Sequence, residues 1–391
     1  MIDFDPYSMD FHNNPYPVYK QLRDEAPVFF HEQLNIYVLS RYADVLAAHK
    51  DNVAFSSAGG VTIEPMAPSA AIILTDDPAH RAKKSQVTKV FTRSLMESSE
   101  PFIRKLCHDL LDKAEQKDSF DFVQDFAVEL PLTVISEMIG IPEEFRHDIH
   151  YFANMMLARG DVDPVEVHRA MVASNETYSK LIAMRRATPS DDVVTLLMNT
   201  EFEDEDGTMR LLTDDDLISR FMELAIAGHE TVSKALPNGM VALQQFPSER
   251  KKLLEEPSLI PNAVEEILRF DPPSQLQGRT TTRDVEFHGV TIPKGFKTML
   301  LTGAATRDER KYENPDIFDV TRKAELASIY FGFGIHKCLG IHLARLEMCV
   351  ALEVFLQRFP EFEVYPEQAT RVVLSNVRGM SSLPCKLKPD A

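Results

Sequence analysis

The sequence contains no tryptophan, little glycine and a minority of positive charge. Only 15 of its 391 residues are glycine, against 24 proline, which excludes a collagen-like or glycine-rich flexible chain. The four cysteines, Cys107, Cys338, Cys349 and Cys385, are too few for a disulfide framework. No Cys-x-x-Cys occurs, so a zinc ribbon or a thioredoxin-type redox pair is not expected. No stretch approaches the roughly 18 uninterrupted apolar residues that a membrane span needs. Met1 to Lys20 is rich in Asp, Asn and Pro and lacks the charged-then-apolar order of a signal peptide. With 42 Lys and Arg against 60 Asp and Glu, the formal net charge is −18, so no general attraction to nucleic acid or anionic membrane exists. The expectation is a soluble protein of a reducing cytoplasm, with neither nucleic acid nor membrane as partner.

What is present is an ordinary globular balance, 44% hydrophobic and 26% charged. Length alone suggests two or three domains at about 150 residues each. The local patterns predict a helix over Pro15–Glu25, strands at Val28–Phe30 and Ile36–Ser40, and a helix over Tyr42–His49. Ser57–Pro68 reads as a loop, and the acidic Glu201–Gly207 as a solvated turn. The longest pattern runs from Thr213 to Gln245, opened by a capping box of Thr213 with Asp216. Leu217, Ile218, Phe221, Met222, Leu224, Ala225 and Ile226 surround it on every side, so it should be buried. At ~1.5 Å per residue it would cross almost 50 Å, with a kink expected at Pro237. Strands follow at Val285–Phe287, Val290–Ile292 and Lys297–Leu301, and a last helix at Ile341–Phe359. A buried helix of that length argues for one domain over residues 1–391, mainly α, with β-rich parts near 26–60 and 280–302.

Three of the 15 glycines fall within nine residues of Phe331-Gly332-Phe333-Gly334-Ile335-His336-Lys337-Cys338-Leu339-Gly340. Such clustering points to positive φ angles or close backbone approach. Cys338 precedes a helix, whose free N–H groups favour thiolate over thiol. A lone cysteine is ordinarily buried and inert; the glycine pattern tips the balance to a nucleophile or metal ligand. A second feature is Ala227-Gly228-His229-Glu230-Thr231 in the long helix. A buried Glu there is expected to be protonated or hydrogen-bonded. Thr231 can bond back to a carbonyl one turn earlier and open the helix. A carboxyl that changes protonation state beside a hydroxyl suits proton delivery. His229 does not form a His-Glu-x-x-His zinc motif, because Ser233 holds the second histidine position.

The spacing Phe-x-x-Gly-x-x-x-Cys-x-Gly, filled by Phe331, Gly334, Cys338 and Gly340, resembles the haem-binding loop of the cytochrome P450 family, the haem-thiolate monooxygenases. The resemblance covers nearly the whole chain and implies a mainly α fold, with haem b between the long central helix and the cysteine loop. It makes Cys338 the proximal iron ligand, whose electron donation favours O–O cleavage. Ala227 to Thr231 matches the family's acid–alcohol motif, with Thr231 donating to the oxygen being activated and Glu230 relaying protons. Glu266-Ile267-Leu268-Arg269 matches its Glu-x-x-Arg, with Arg322 as partner in a structural network under the loop. His80, Arg279 and His336 match haem-propionate positions. Lys84 stands where the family has arginine and cannot form its bidentate fork, which leaves Lys83 and Arg81 as alternatives.

The same resemblance puts the substrate among mainly apolar side chains: Ile63, Met66, Ile72, Met155, Met156, Met222, Ile226, Leu276 and Val377. These imply an apolar organic substrate, hydroxylated or epoxidised with one atom of O2, and Arg378 is the one candidate for a substrate carboxylate. Arg81, Lys83, Lys89, Arg93, Lys337 and Arg345 gather positive charge on the cysteine side, a docking site for an acidic ferredoxin carrying electrons from NAD(P)H through ferredoxin reductase. Three rivals remain: a peroxygenase running on H2O2, a haem-binding sensor or carrier without turnover, and a cysteine-nucleophile hydrolase. The intact Glu230-Thr231 pair argues against the peroxygenase.

Overall fold

The computed structural model describes residues 2–64, 66, 71–88, 91–117, 119–157, 163–204, 206–323, 328–374 and 376–388. After a short helical turn at Met9–Asn13, helix α1 spans Tyr16–Glu25, starting behind Pro15, and α2 spans Tyr42–Lys50. Between them lie β1, Val28–His31, and β2, Ile36–Leu39. With β3 (Phe55–Ser56), β4 (Gln277–Thr281) and β5 (Lys297–Leu300) they form a five-stranded sheet in the order β1-β2-β5-β4-β3. The β2–β5 pair is parallel and the others antiparallel. The register sets Thr298 opposite both Tyr37 and Arg279, so strands from the two ends of the sequence meet in one sheet.

Helices build the rest. In chain order they include α3 (Ala79–Thr88), α4 (Glu100–Ala114), α5 (Glu129–Ile139), α6 (Glu143–Leu157) and α7 (Pro164–Ala187). Then come α8 (Asp214–Gln245), α9 (Ile260–Phe270) and α10 (Ile341–Arg358). The 32-residue α8 opens with both halves of the Thr213–Asp216 capping box and runs through Pro237 without interruption. Gly228 is where α8 and α5 touch: a Cβ there would lie 2.6 Å from the Ile135 side chain. The large core around α8 also takes in α4, α5, α9 and α10, while smaller apolar clusters lie under the sheet and the N-terminal helices. Among the described residues no helix is long and apolar enough to cross a membrane.

The acidic segment after Thr200 is more ordered than a solvated turn. Phe202–Glu203 pairs with Met209–Arg210, and Arg210 binds Asp204 and Asp216 at 2.6 and 2.8 Å. The arginine after the turn draws the acids together, which a count of acidic residues alone misses.

Candidate functional site

The cysteine loop runs from Phe331 to Gly340 across the start of α10. Gly334 has φ +71°, and a Cβ there would meet the His49 carbonyl oxygen at 2.6 Å, so only glycine lets the loop lie against α2. The Cys338 N–H donates to the Phe331 carbonyl at 2.9 Å, closing the loop. Cys338 is an exposed residue, although neighbouring chain crowds its thiol. That crowding pushes the thiol up, while the Gly340 N–H, Lys84, Arg345 and Lys337 oppose the rise. The guanidinium of Arg345 sits 5.0 Å from the centre of the Phe331 ring.

Two positions in the middle of α8 are likewise open. Ala227 is exposed and Thr231 half-buried, whereas Leu224, Ala225, His229, Glu230 and Val232 are buried. The Thr231 hydroxyl donates back to the Ala227 carbonyl at 3.4 Å, the one-turn-back bond expected of a helical threonine. Glu230 departs from the sequence expectation of a protonated or hydrogen-bonded carboxyl. Burial pushes it up, but the His229 ring at 3.0 Å and the Lys234 ammonium at 3.7 Å outweigh burial and hold it below the usual carboxylate range.

Beside the cysteine loop, bases converge and outnumber the acids. Arg279 is 4% exposed, and its side chain donates to the Gly278 carbonyl at 2.6 Å. Burial lowers it to about 10. Lys297 binds the carbonyls of Gly59 and Gly60 at 2.6 and 2.9 Å, and burial lowers it to about 8. The His336 Nε2 faces the Ser57 hydroxyl at 3.0 Å, and the His80 and His336 rings are 4.4 Å apart. Burial, then Arg279 and His80, lower His336 to about 3. Lys84 donates to the carbonyls of Ile335 and Lys337 at 2.5 and 3.3 Å. Of this group His80 alone approaches a carboxylate within 4.0 Å among the described residues, Asp77 at 3.5 Å. Asp76 is spent on the Ser56 hydroxyl and the Ser57 N–H. A buried arginine and a half-buried lysine, neither with a carboxylate within 4.0 Å among the described residues, suit an anion.

Below the loop, Arg269 grips both Glu266 oxygens at 2.7 Å. It also donates to the carbonyls of Thr306 and Pro315, at 3.0 and 2.9 Å. Arg322 reaches the same Glu266 at 3.2 Å and the Glu313 carbonyl at 2.7 Å.

A cytochrome P450 family model matches residues 8–388. The chain belongs to the cytochrome P450 family. It is 38% identical over 98% of its length to a putative cytochrome P450 123 of Mycobacterium tuberculosis, covering 96% of that protein. It is 36% identical, with the same two coverages, to the vitamin D(3) 25-hydroxylase of Pseudonocardia autotrophica. Among solved structures it resembles the bacillaene polyketide synthase cytochrome P450 PksS of Bacillus subtilis, with TM-score 0.89 and 32% identity over 99% of this chain and all of that one. The protein is thus a mainly α, single-domain P450, an oxidoreductase of the monooxygenase class with haem as cofactor. The residues present fit that group: an exposed cysteine, an open stretch of α8, and a buried Arg279 with a half-buried Lys297 that have no carboxylate within 4.0 Å among the described residues. When bound, haem supplies a thiolate-ligated iron centre that cleaves O–O.

Around the site of the P450, the positions expected to face substrate divide. Ile72 and Met222 border the main core, and Glu223 of α8 accepts the N–H groups of Ile72 and Ile73, each at 2.9 Å. Ile226 and Met155 are half-buried, and Met66 is 39% exposed. Ile63 and Leu276 pack into a different core cluster with Tyr19 and Met299. Val377 bridges to Ser274. The Met156 side chain and Lys89 lie outside the described residues. Arg378 is sequestered: it pairs with Asp271 and donates to the carbonyls of His12 and Asn13 at 3.1 and 3.0 Å. The docking bases are also partly spent. Arg345 binds Glu265 at 2.5 and 2.8 Å, Arg93 binds Glu97 at 2.7 Å, and Arg81 lies 4.0 Å from Asp77. Lys337 is exposed.

His49 and Lys297 escaped the sequence reading. Each lies far along the chain from the cysteine loop, and only the sheet and α2 bring them there. Neither ring nitrogen of His49 has a hydrogen-bond partner among the described residues, and burial, aided by Arg279, lowers its pKa from 6.5 to about 3. The unfolded chain therefore takes up a proton at a pH where the folded chain does not. Stability from this group is complete above pH 6.5 and falls as pH drops towards 3, by about 1.4 kcal/mol per unit. Urea unfolding should lose about 2 kcal/mol between pH 6.5 and 5 in the parent protein beyond what it loses in His49→Leu. Parallel pH curves for the two proteins would refute the assignment.

Proposed function

We propose that the P450 inserts one oxygen atom of O2 into an unactivated C–H or C=C bond of a bulky apolar substrate. Its two electrons come from NAD(P)H through a ferredoxin reductase and an acidic ferredoxin, in the cytoplasm. The observation that carries this reading is the Glu230–Thr231 pair on the open stretch of α8. Thr231 is the hydroxyl that donates to the oxygen under activation, and breaking its weak bond to Ala227 costs little. Glu230, ionised beside Lys234 and His229, accepts and returns protons. Cys338 would hold the haem iron, its sulfur accepting the Gly340 N–H. Arg279, Lys297, His80 and His336 hold the haem propionates, and Lys84 braces the cysteine loop through its carbonyls.

The substrate class rests on apolar neighbours such as Ile72, Met222, Ile226 and Val377, and on the sequestration of Arg378 by Asp271. The vitamin D(3) 25-hydroxylase at 36% identity makes steroid-sized molecules the first to try. Docking of ferredoxin falls first to the exposed Lys337, with the bases of α3 alongside.

The test is a titration of the ferric protein with steroids, terpenoids, fatty acids and small aromatics, followed by turnover of whichever shifts the Soret band. Thr231→Ala should keep NAD(P)H consumption within a few-fold but lower product per NAD(P)H about 100-fold, the lower end of general acid–base effects, with H2O2 in its place. No product from any ligand that shifts the Soret band would favour a carrier or sensor, and an unchanged product yield in Thr231→Ala would take the proton-delivery role from that hydroxyl. Faster turnover with H2O2 alone than with ferredoxin would favour a peroxygenase.

A further inference from the structure

On the side of α8 that meets α6, Glu230 also belongs to a second constellation, whose two other members lie outside the haem site. His150 of α6 approaches the α8 pair His229 and Glu230. The His150 Nδ1 lies 3.1 Å from the His229 Nε2 and 3.7 Å from the Glu230 Oε1, and the His229 Nε2 lies 3.0 Å from that oxygen. His229 and Glu230 are 0 and 1% exposed. Neither Glu230 oxygen accepts a directed hydrogen bond among the described residues, so its contact with His229 is close approach and not a satisfied bond.

The His229 Nδ1 faces the Ala225 carbonyl at 2.7 Å. A carbonyl only accepts, so Nδ1 carries a proton and Nε2 is the ring nitrogen turned towards His150 and Glu230. On the far side of His150, the Asn154 amide lies 3.0 Å from Nε2. The His150 Nδ1, the His229 Nε2 and the Glu230 Oε1 thus face one another, with any proton among them shared. Three basic atoms therefore converge on a single point.

We propose that His150, His229 and Glu230 form a divalent-cation site of the zinc class that pins α6 to α8. A tetrahedral zinc about 2.0–2.1 Å from each ligand sets ligand–ligand separations of roughly 3.3–3.4 Å. The three separations here, 3.0, 3.1 and 3.7 Å, bracket that value. Two imidazoles and a carboxylate are a donor set suited to zinc. The outer shell is in place as well. The Ala225 carbonyl fixes the His229 tautomer, the Asn154 amide stands behind His150, and Lys234 holds the second Glu230 oxygen at 3.7 Å. The His150 side chain is 21% exposed, which gives the ion a way in. Binding displaces the shared proton, and the Asn154 amide turns to accept the N–H of His150 Nε2. Resting on the proton-carrying role of Glu230, the site would also inhibit turnover by holding that carboxylate.

The test titrates Zn2+ into the haem-loaded, chelator-treated protein by calorimetry. One zinc per chain is expected. Asn154→Ala should weaken it about 10–100-fold, His150→Ala should do so at least as much, and the exposed His147→Ala should leave it unchanged. Zinc should also slow amide exchange across Glu143–Leu157 in the parent protein and not in His150→Ala. No saturable site, or one untouched by His150→Ala, overturns the proposal. Binding with undiminished turnover upholds the site and counts instead against Glu230 as the proton carrier.

Discussion

Replacing Cys338 by serine should abolish monooxygenation and the reduced-CO absorption band of thiolate-ligated haem, while leaving the far-UV spectrum of a folded, mainly helical protein. A serine hydroxyl is a hard, weakly acidic donor that stays protonated where a thiol ionises, so the electron donation that favours O–O cleavage is lost. The other three thiols act as internal controls. Burial pushes Cys107, Cys349 and Cys385 up to about 12, which marks them as inert. Burial raises Cys338 too, but it alone has three basic side chains and a backbone N–H lowering it. Ligation removes its proton outright. Alanine at any of the other three should keep the reduced-CO band at full height per haem. A wild-type band in Cys338→Ser would remove the axial ligand from this loop.

What the sequence revealed and what it hid follow the range of the interactions. The cysteine loop, the capping box of α8 and the Glu266–Arg269 pair are legible because each closes within about ten residues, on geometry fixed by local spacing. The back-bond of Thr231 to Ala227 belongs to the same class. His49, Lys297 and His150 were not legible. The first two reach the site through a sheet that joins residues 28–56 to residues 277–300, and His150 meets His229 across 79 positions of chain. The acidic partners of Arg345 and Arg378, Glu265 and Asp271, are equally remote, so a patch read from one-dimensional charge clustering overstated what is left for a partner. Burial also reversed one expectation: Glu230 is held ionised because Lys234 and His229 are buried with it, and the pattern of apolar neighbours had suggested isolation.

The second large effect is expected where no chemistry occurs. Glu266 and Arg269 have side chains 1 and 3% exposed, and removing one member of such a pair leaves a buried charge uncompensated. Arg269→Met should therefore cost about 3–5 kcal/mol in unfolding free energy. It also frees the carbonyls of Thr306 and Pro315, which receive Arg269 N–H groups. Arg322 still reaches Glu266 at 3.2 Å, so the carboxylate keeps one cation, and the loss should fall short of that from removing both arginines. Arg269→Lys should rescue little, because an ammonium cannot span both Glu266 oxygens and two carbonyls as the planar fork does. The consequence reaches the active site through the chain itself. Arg269 and Arg322 fix residues 306–322, and the chain continues from there into the cysteine loop. Haem content of purified Arg269→Met should fall in step with its urea midpoint, whereas Cys338→Ser loses the thiolate band without that loss of stability. If Arg269→Met unfolds at the parent midpoint and retains full haem, the network does not hold the loop.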